Sequence, residues 1–242
     1  MPENIFFSSI KNWDNKTWLS SSGYIGSFIK FLIKQAKLNK NSKIVDVGCG
    51  RGKILGHLFS KLKLKHKPMG IDLEKHKDRD KRINFKKISA IEFFKHSSET
   101  FDLIMIKQTI HLLKTSEIKK LLNFCKNSLN RNGKIVIFTL DSFQNEIPTF
   151  SLMRKKLKIS LKRDERIIKF ISKLYSSRIT KKFIYNVTVS KKKYLEMIKN
   201  RYISTLLNFS TKEILQGANE INSNYKKLLK FKDKLQCIII KK

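Results

Sequence analysis

Residues 45–53 read VDVGCGRGK. The segment Lys43–Val47 has the pattern of a buried strand. It ends in Asp46-Val47-Gly48-Cys49-Gly50-Arg51-Gly52. A helical period follows at once over Arg51–Leu62, with Ile54, Leu55, Leu58 and Leu62 on one face. Glycine lets the chain turn through conformations closed to other residues and lets a ligand approach the main chain. The first N–H groups of the next helix have no helical partner and add donors. A strand, a glycine turn and a helix in this order admit few folds other than a layered α/β domain.

The next hundred residues keep the alternation. Lys67–Asp72 and Ile83–Lys87 read as strands, and Phe101–Ile106 (FDLIMI) as a strand covered on both faces. A helix begins near Thr115, with Ile118, Leu121, Leu122, Cys125 and Leu129 at helical spacing, and Asn132-Gly133 is expected to stop it. Lys134–Leu140 (KIVIFTL) is a fifth strand. Right-handed crossovers between such strands give a doubly wound, Rossmann-like, mostly parallel sheet.

Beyond Leu140 the texture changes. Met153–Ser176 is lysine-rich and helical, Phe183–Val189 alternates like a strand, and Ser190 caps a short helix. Ser210-Thr211-Lys212-Glu213 is a capping box, and Leu235–Ile240 is a last strand. The expected organisation is an N-terminal arm and helix over 1–40 acting as a lid, a core over 41–141, and a helical cap over 142–242 with final antiparallel strands that complete the sheet. The arm carries Trp13, Trp18 and Tyr24 ahead of an amphipathic helix near Ile25–Leu38. Its aromatics either pack on the sheet or cap a ligand pocket.

Charge bounds the partners. The net charge is +34, and nine of the 53 basic residues are arginine, leaving 44 lysines. Such a charge attracts polyanions. The abundance of Lys, Asn and Ile together also fits A/T-rich codon usage, and specific phosphate recognition leans on arginine, which is scarce here. Cys49, Cys125 and Cys237 have neither metal-ligand spacing nor a disulfide framework, which fits a reducing, cytoplasmic setting without a bound metal. The first residues lack the pattern of a signal peptide, and no run of 18 apolar residues is present.

Asp72, 20 residues after Gly52 at the end of the second strand, is placed to accept the ribose hydroxyls of an adenosine. NAD and S-adenosylmethionine (SAM) both contain one. The dinucleotide fingerprint is G-x-G-x-x-G, whereas this loop is G-x-G-x-G with Asp46 two residues before its first glycine. A pyrophosphate is repelled by such an acid, while the ammonium and sulfonium of SAM are attracted. The pattern favours SAM.

DVGCGRG, GIDLE (70–74), FDLIMIKQTIHLL (101–113) and NRNGKIVIFTL (130–140) resemble the successive motifs of class I SAM-dependent methyltransferases. The nearest group is the type-11 methyltransferase domain, related to enzymes of ubiquinone, sterol and trans-aconitate methylation. The resemblance covers residues 40–141, and LQCIIIKK resembles the group's last strand. It implies that Asp46 and the loop Gly48, Cys49, Gly50 and Gly52 hold the methionine end of SAM. Asp72 then binds the ribose and Leu73 faces the adenine. Ser89 and Ala90 stand where relatives carry an Asp-Ala pair near the adenine amine, and Ser89 departs from that pattern. Lys107 and Gln108 line the inner side of the cofactor.

The resemblance also places His111 at the pocket mouth, where it is either a general base or a packing residue. His57, His66, His76 and His96 fall in lysine-rich or helix-surface settings and read as solvated. Trp18, Tyr24, Arg201 and Tyr202 are candidate substrate contacts, with a structural role as the alternative. The function expected is methyl transfer from SAM, yielding S-adenosylhomocysteine, to a small-molecule O, N, S or activated carbon. An RNA methyltransferase is the alternative, and a non-catalytic scaffold of the same fold is a third class. Lys107-Gln108-Thr109-Ile110 stands where adenine-amino methyltransferases carry an Asn/Asp-Pro-Pro-Tyr motif, and neither Cys125 nor Cys237 has the context of a cytosine-C5 nucleophile.

Overall fold

The computed structural model describes residues 17–242. In chain order its main elements are α1 (Ser22–Ala36), β1 (Ile44–Val47), α2 (Lys53–Leu62), β2 (Met69–Asp72), β3 (Asn84–Lys87), α3 (Ala90–His96), β4 (Phe101–Lys107), α4 (Thr115–Asn127), β5 (Leu129–Leu140), α5 (Ser151–Leu174), β6 (Ile179–Ser190), α6 (Lys191–Lys199), α7 (Thr211–Asn224) and β7 (Leu228–Lys241). Seven strands form one sheet in the order β3-β2-β1-β4-β5-β7-β6. β1 pairs parallel with β2 and β4, β2 with β3, and β4 with β5. β7 runs antiparallel to β5, with Ile137 opposite Ile238.

The chain forms two compact units, each built from three separate segments. The larger comprises 25–140, 164–183 and 235–242, and holds the parallel strands. β1 is buried throughout, and β4 buries Leu103 to Ile106 completely. That explains their continuous apolar runs. Val45, Ile104, Ile106, Ile135 and Ile137 form the sheet side of one core, closed by Ile118, Leu121, Leu122 and Cys125 of α4 and by Ile167, Ile168 and Ile171 of α5. From Ile25 onward α1 also belongs to this unit. Phe28 packs against Phe138 and Phe183, with ring centroids 4.7 and 5.2 Å away.

The smaller unit comprises the described residues 17–24 with 141–163 and 184–234. It centres on an aromatic cluster. Trp18 meets Tyr202 and Phe231 edge-on at 5.2 and 5.1 Å, and its Nε1 donates to Asp233 Oδ2 at 3.0 Å. The Tyr194 hydroxyl donates to the Pro148 carbonyl at 2.6 Å, so the Tyr202 hydroxyl, 2.8 Å away, donates to Tyr194. Every buried polar tip in this chain of contacts is thereby satisfied.

The elements differ from the sequence expectation in three places. Asn132-Gly133 does not end α4, which stops at Asn127. The pair lies within β5, where the register shifts from Phe101↔Leu129 to Leu103↔Lys134. A Cβ on Gly133 would stand 2.7 Å from the Phe101 carbonyl, so the bulge admits only glycine. β6 and β7 are longer than expected at 12 and 14 residues. Over Leu228–Lys234, β7 alternates exposed and buried positions with period two. Last, α3 has no counterpart in the sequence reading.

Candidate functional site

The carboxyl ends of β1, β2 and β4 bring together most of the residues singled out in the sequence. Asp46 lies near the end of β1 and the glycine loop follows it, Asp72 closes β2, and Lys107 closes β4. Gly48, Gly50 and Gly52 have φ of +70, +53 and +66°, a left-handed run that other residues rarely adopt. Their surroundings give them different work. A Cβ on Gly48 would meet Thr109 Oγ1 at 2.2 Å, and one on Gly52 would meet Ile83 at 2.1 Å, so these two let the loop pack. A Cβ on Gly50 would meet nothing within 4 Å. Gly50 therefore faces open space.

Two oxygens of Asp72 organise this loop. Oδ2 accepts from the Gly50 N–H at 2.8 Å and Oδ1 from the Glu74 N–H at 3.0 Å. The N–H groups of Gly48 and Cys49 donate to the Ile71 carbonyl at 2.9 and 3.2 Å. Leu73, next to Asp72, is 64% exposed, an apolar side chain held out from the fold.

Asp46 is the electrostatic anomaly. It lies on β1, between β2 and β4, with 4% exposure, and its Oδ1 has no hydrogen-bond partner among the described residues. Burial pushes its carboxyl from 3.8 up to about 8, an effect opposed by the charge of Lys107 and reinforced by that of Asp72. A buried carboxylate without its full set of donors calls for a cation or a further donor.

After β4 the chain turns sharply. Gln108 has φ of +56° and its N–H donates to the Phe138 carbonyl at 2.9 Å. The Lys107 ammonium sits 5.5 Å from the centre of the Phe28 ring. His111 is half-buried in a short 3-10 helix, Ile110–Leu112. Ser89 caps α3, its hydroxyl accepting from the Glu92 N–H at 3.2 Å, and Ala90 opens that helix. This cap is a local reason for serine at position 89.

Trp18, Tyr24, Arg201 and Tyr202 fall in the smaller unit. Trp18 and Tyr202 are in contact inside the aromatic cluster, and Tyr24 is fully buried against Tyr185. Arg201, at φ +50°, donates from Nη2 to the Phe209 carbonyl at 3.0 Å. Burial of the three aromatics favours the packing role. Trp13 lies outside the described residues.

The sequence reading missed Arg51 and Asp78. The Arg51 side chain is buried, and its Nε lies 2.9 Å from both Asp78 oxygens. The Arg51 carbonyl also accepts from the Asp80 N–H at 2.8 Å. These bonds latch the β2–β3 connection onto the start of α2. The only hint in the sequence was acids within a basic run, KHKDRDKR.

Parallel strands, a glycine turn after β1 and acids in the last residues of β1 and β2 are the layout of a class I methyltransferase fold. The chain matches the family model described as methyltransferase domain over residues 38–202, and it belongs to that family. It is a SAM-dependent methyltransferase, and SAM is its cofactor. No curated protein sequence matches the chain. Among solved structures it is similar to the plantazolicin methyltransferase BpumL in complex with a monoazolic desmethylPZN analog and SAH. There the identity is 17% and the TM-score 0.53, over 97% of this chain and 88% of that one. It is also similar to a protein described as a methyltransferase of an antibiotic biosynthesis pathway from Anabaena variabilis ATCC 29413. There the identity is 14% and the TM-score 0.64, over 88% of this chain and 95% of that one.

The residues present fit the cofactor. Asp46 has an unpartnered buried oxygen for a cationic group. Gly50 leaves open space for a ligand against the main chain. Leu73 offers an exposed apolar side chain that a planar ring can cover. Among the described residues no cluster of His, Cys, Asp and Glu could hold a metal ion, and no helix is long and apolar enough to cross a membrane.

Proposed function

We propose that this chain methylates a small-molecule acceptor at O, N, S or activated carbon, by in-line displacement on SAM held at the ends of β1, β2 and β4. The observation that carries the reading is the buried, incompletely partnered carboxylate of Asp46 beside the open face of Gly50. Asp46 holds the ammonium of the methionine end, Gly48–Gly52 supply close main-chain contact, Asp72 takes the ribose, and Leu73 covers the adenine. Ser89, Ala90, Lys107 and Gln108 complete the cofactor side.

When bound, SAM supplies a methyl group already activated by its sulfonium. The protein's task is then to orient the acceptor's lone pair and exclude water. His111 takes the acceptor's proton where it has one. Covalent catalysis by a core thiol is disfavoured on physical grounds. Burial raises the thiol of Cys125 well above its ordinary range and pushes that of Cys237 up to about 12, which leaves both unreactive. The small-molecule acceptor is supported by the solved structure of the plantazolicin methyltransferase BpumL in complex with a monoazolic desmethylPZN analog.

A second reading, an RNA acceptor, draws on the net charge of +34. The binding half of the proposal is tested by calorimetry with SAM on the wild type, Asp46→Asn and Gly50→Arg. Loss of binding in both variants with the fold retained supports it. Wild-type affinity in both would sink it.

A further inference from the structure

The first half of α5, residues 151–163, reads SLMRKKLKISLKR, with six basic residues and no acidic one. It lies wholly in the smaller unit. Its inner side is fixed: Met153 and Leu157 are buried, and the Ser151 N–H and hydroxyl donate to Glu220 Oε1 at 2.8 and 2.7 Å. Its outer side has an unusual order. At roughly 100° per residue, Leu152 and Ile159 fall on one line along the helix. Lys155 and Lys162 form a row on one flank, and Lys156 and Arg163 a row on the other. All four flanking residues are exposed. Leu152 is 40% and Ile159 67% exposed.

A chain that codes for lysine everywhere would scatter these charges. Here four of the six basic residues border the aliphatic line, while Arg154 and Lys158 lie off it. A nucleic-acid backbone matches the lysines but has nothing for the aliphatic line, and single-stranded bases prefer aromatic platforms, of which this face has none. A bilayer surface matches both. Aliphatic tips enter the acyl boundary, while lysines run their stems along it and hold their ammonium groups at the lipid phosphates. Lysine, a flexible point charge, suits such diffuse attraction.

We propose that the outer face of residues 151–163 docks on an anionic lipid surface, with Leu152 and Ile159 inserted and the flanking Lys155, Lys156 and Lys162 on the headgroups. The test is sedimentation of the full chain with phosphatidylcholine vesicles, with and without phosphatidylserine. Four proteins are compared: the wild type, a quadruple Lys155→Gln, Lys156→Gln, Lys158→Gln and Lys162→Gln variant, the double Leu152→Ser and Ile159→Ser variant, and a control with Lys61→Gln, Lys65→Gln, Lys67→Gln and Lys119→Gln. Circular dichroism verifies that each is folded. The wild type should bind only the phosphatidylserine vesicles, and less as salt rises. The α5 quadruple variant should bind more than tenfold more weakly, since each lysine near an anionic surface is worth roughly fivefold. The double serine variant should lose roughly tenfold, and the control should lose distinctly less than the α5 set. Equal losses in the control and the α5 set, or no loss in the serine variant, would overturn the proposal. So would wild-type indifference to vesicles alongside polyuridylate binding that depends on the α5 lysines, which would make RNA the partner of this face.

Discussion

Asp46 joins fold and chemistry most tightly. Its carboxyl, raised to about 8 by burial, is protonated in the ligand-free protein at neutral pH, while in the unfolded chain it ionises near 3.8. A raised pKa means that this group favours folding below 3.8 and that the contribution is lost as pH climbs through about 8. The ligand-free Asp46→Asn protein should therefore lose less stability than the wild type over that interval, as measured by denaturant unfolding at stepped pH. Binding moves the other way. The proposed ammonium contact needs the ionised carboxylate, so SAM affinity should rise with pH toward about 8 and then level off. Asp46→Asn should bind at least roughly tenfold more weakly and lack that rise. A pH-independent wild-type affinity would remove Asp46 from the site.

The glycines separate packing from binding at the same scale. Gly50→Ala meets no neighbour, so its stability cost is that of a left-handed backbone, about 1–2 kcal/mol. Gly48→Ala adds a collision with Thr109 and should cost more. Thermal unfolding ranks the two, and calorimetry should show SAM binding weakened in the folded Gly50→Ala protein. Asp72→Ala should weaken SAM by roughly 1–3 kcal/mol, partly because it also frees the Gly50 N–H.

Among the elements, Gly133→Val should destabilise the chain by roughly 1–3 kcal/mol, because its Cβ would collide with the Phe101 carbonyl and crowd the Asn130 backbone. Ser210→Ala should cost about 1 kcal/mol through the lost cap of α7. Denaturant melts measure both. The elements also show what a single sequence discloses. β1, β2, β4 and β5 were legible because strands covered on both faces are written as unbroken apolar runs such as FDLIMI. The capping box at Ser210 was legible because its partners are three residues apart. AIEFFKH was not, since the seven residues of α3 are too short to display a helical period. Asn132-Gly133 misled because the signal for a turn is also the requirement of a bulge. The Arg51–Asp78 latch joins residues 27 apart, and no local pattern announces such a pair.

For the whole molecule, the neighbouring positions of Asp46, the glycine loop and Asp72 were readable from sequence, because parallel strands line up their carboxyl ends and chain order alone fixes their place. The candidate substrate contacts were not readable. Trp18, Tyr24 and Tyr202 carried no sign of whether they face a ligand or one another, and burial is a property of the folded unit. The charge of +34 is also a property of the whole chain. It predicts polyanion attraction that falls with salt, whereas SAM affinity at the half-buried glycine loop should change little over the same range. Parallel salt titrations of the two separate surface charge from the site.

The most direct measurement of methyl transfer to a small molecule is label transfer from methyl-tritiated SAM into a cell extract divided into small-molecule, RNA, lipid and protein fractions. Counts in the small-molecule fraction, lost with Asp46→Asn, are the expected result. Counts in RNA that vanish on nuclease treatment would contradict it and make the basic surface part of substrate recognition.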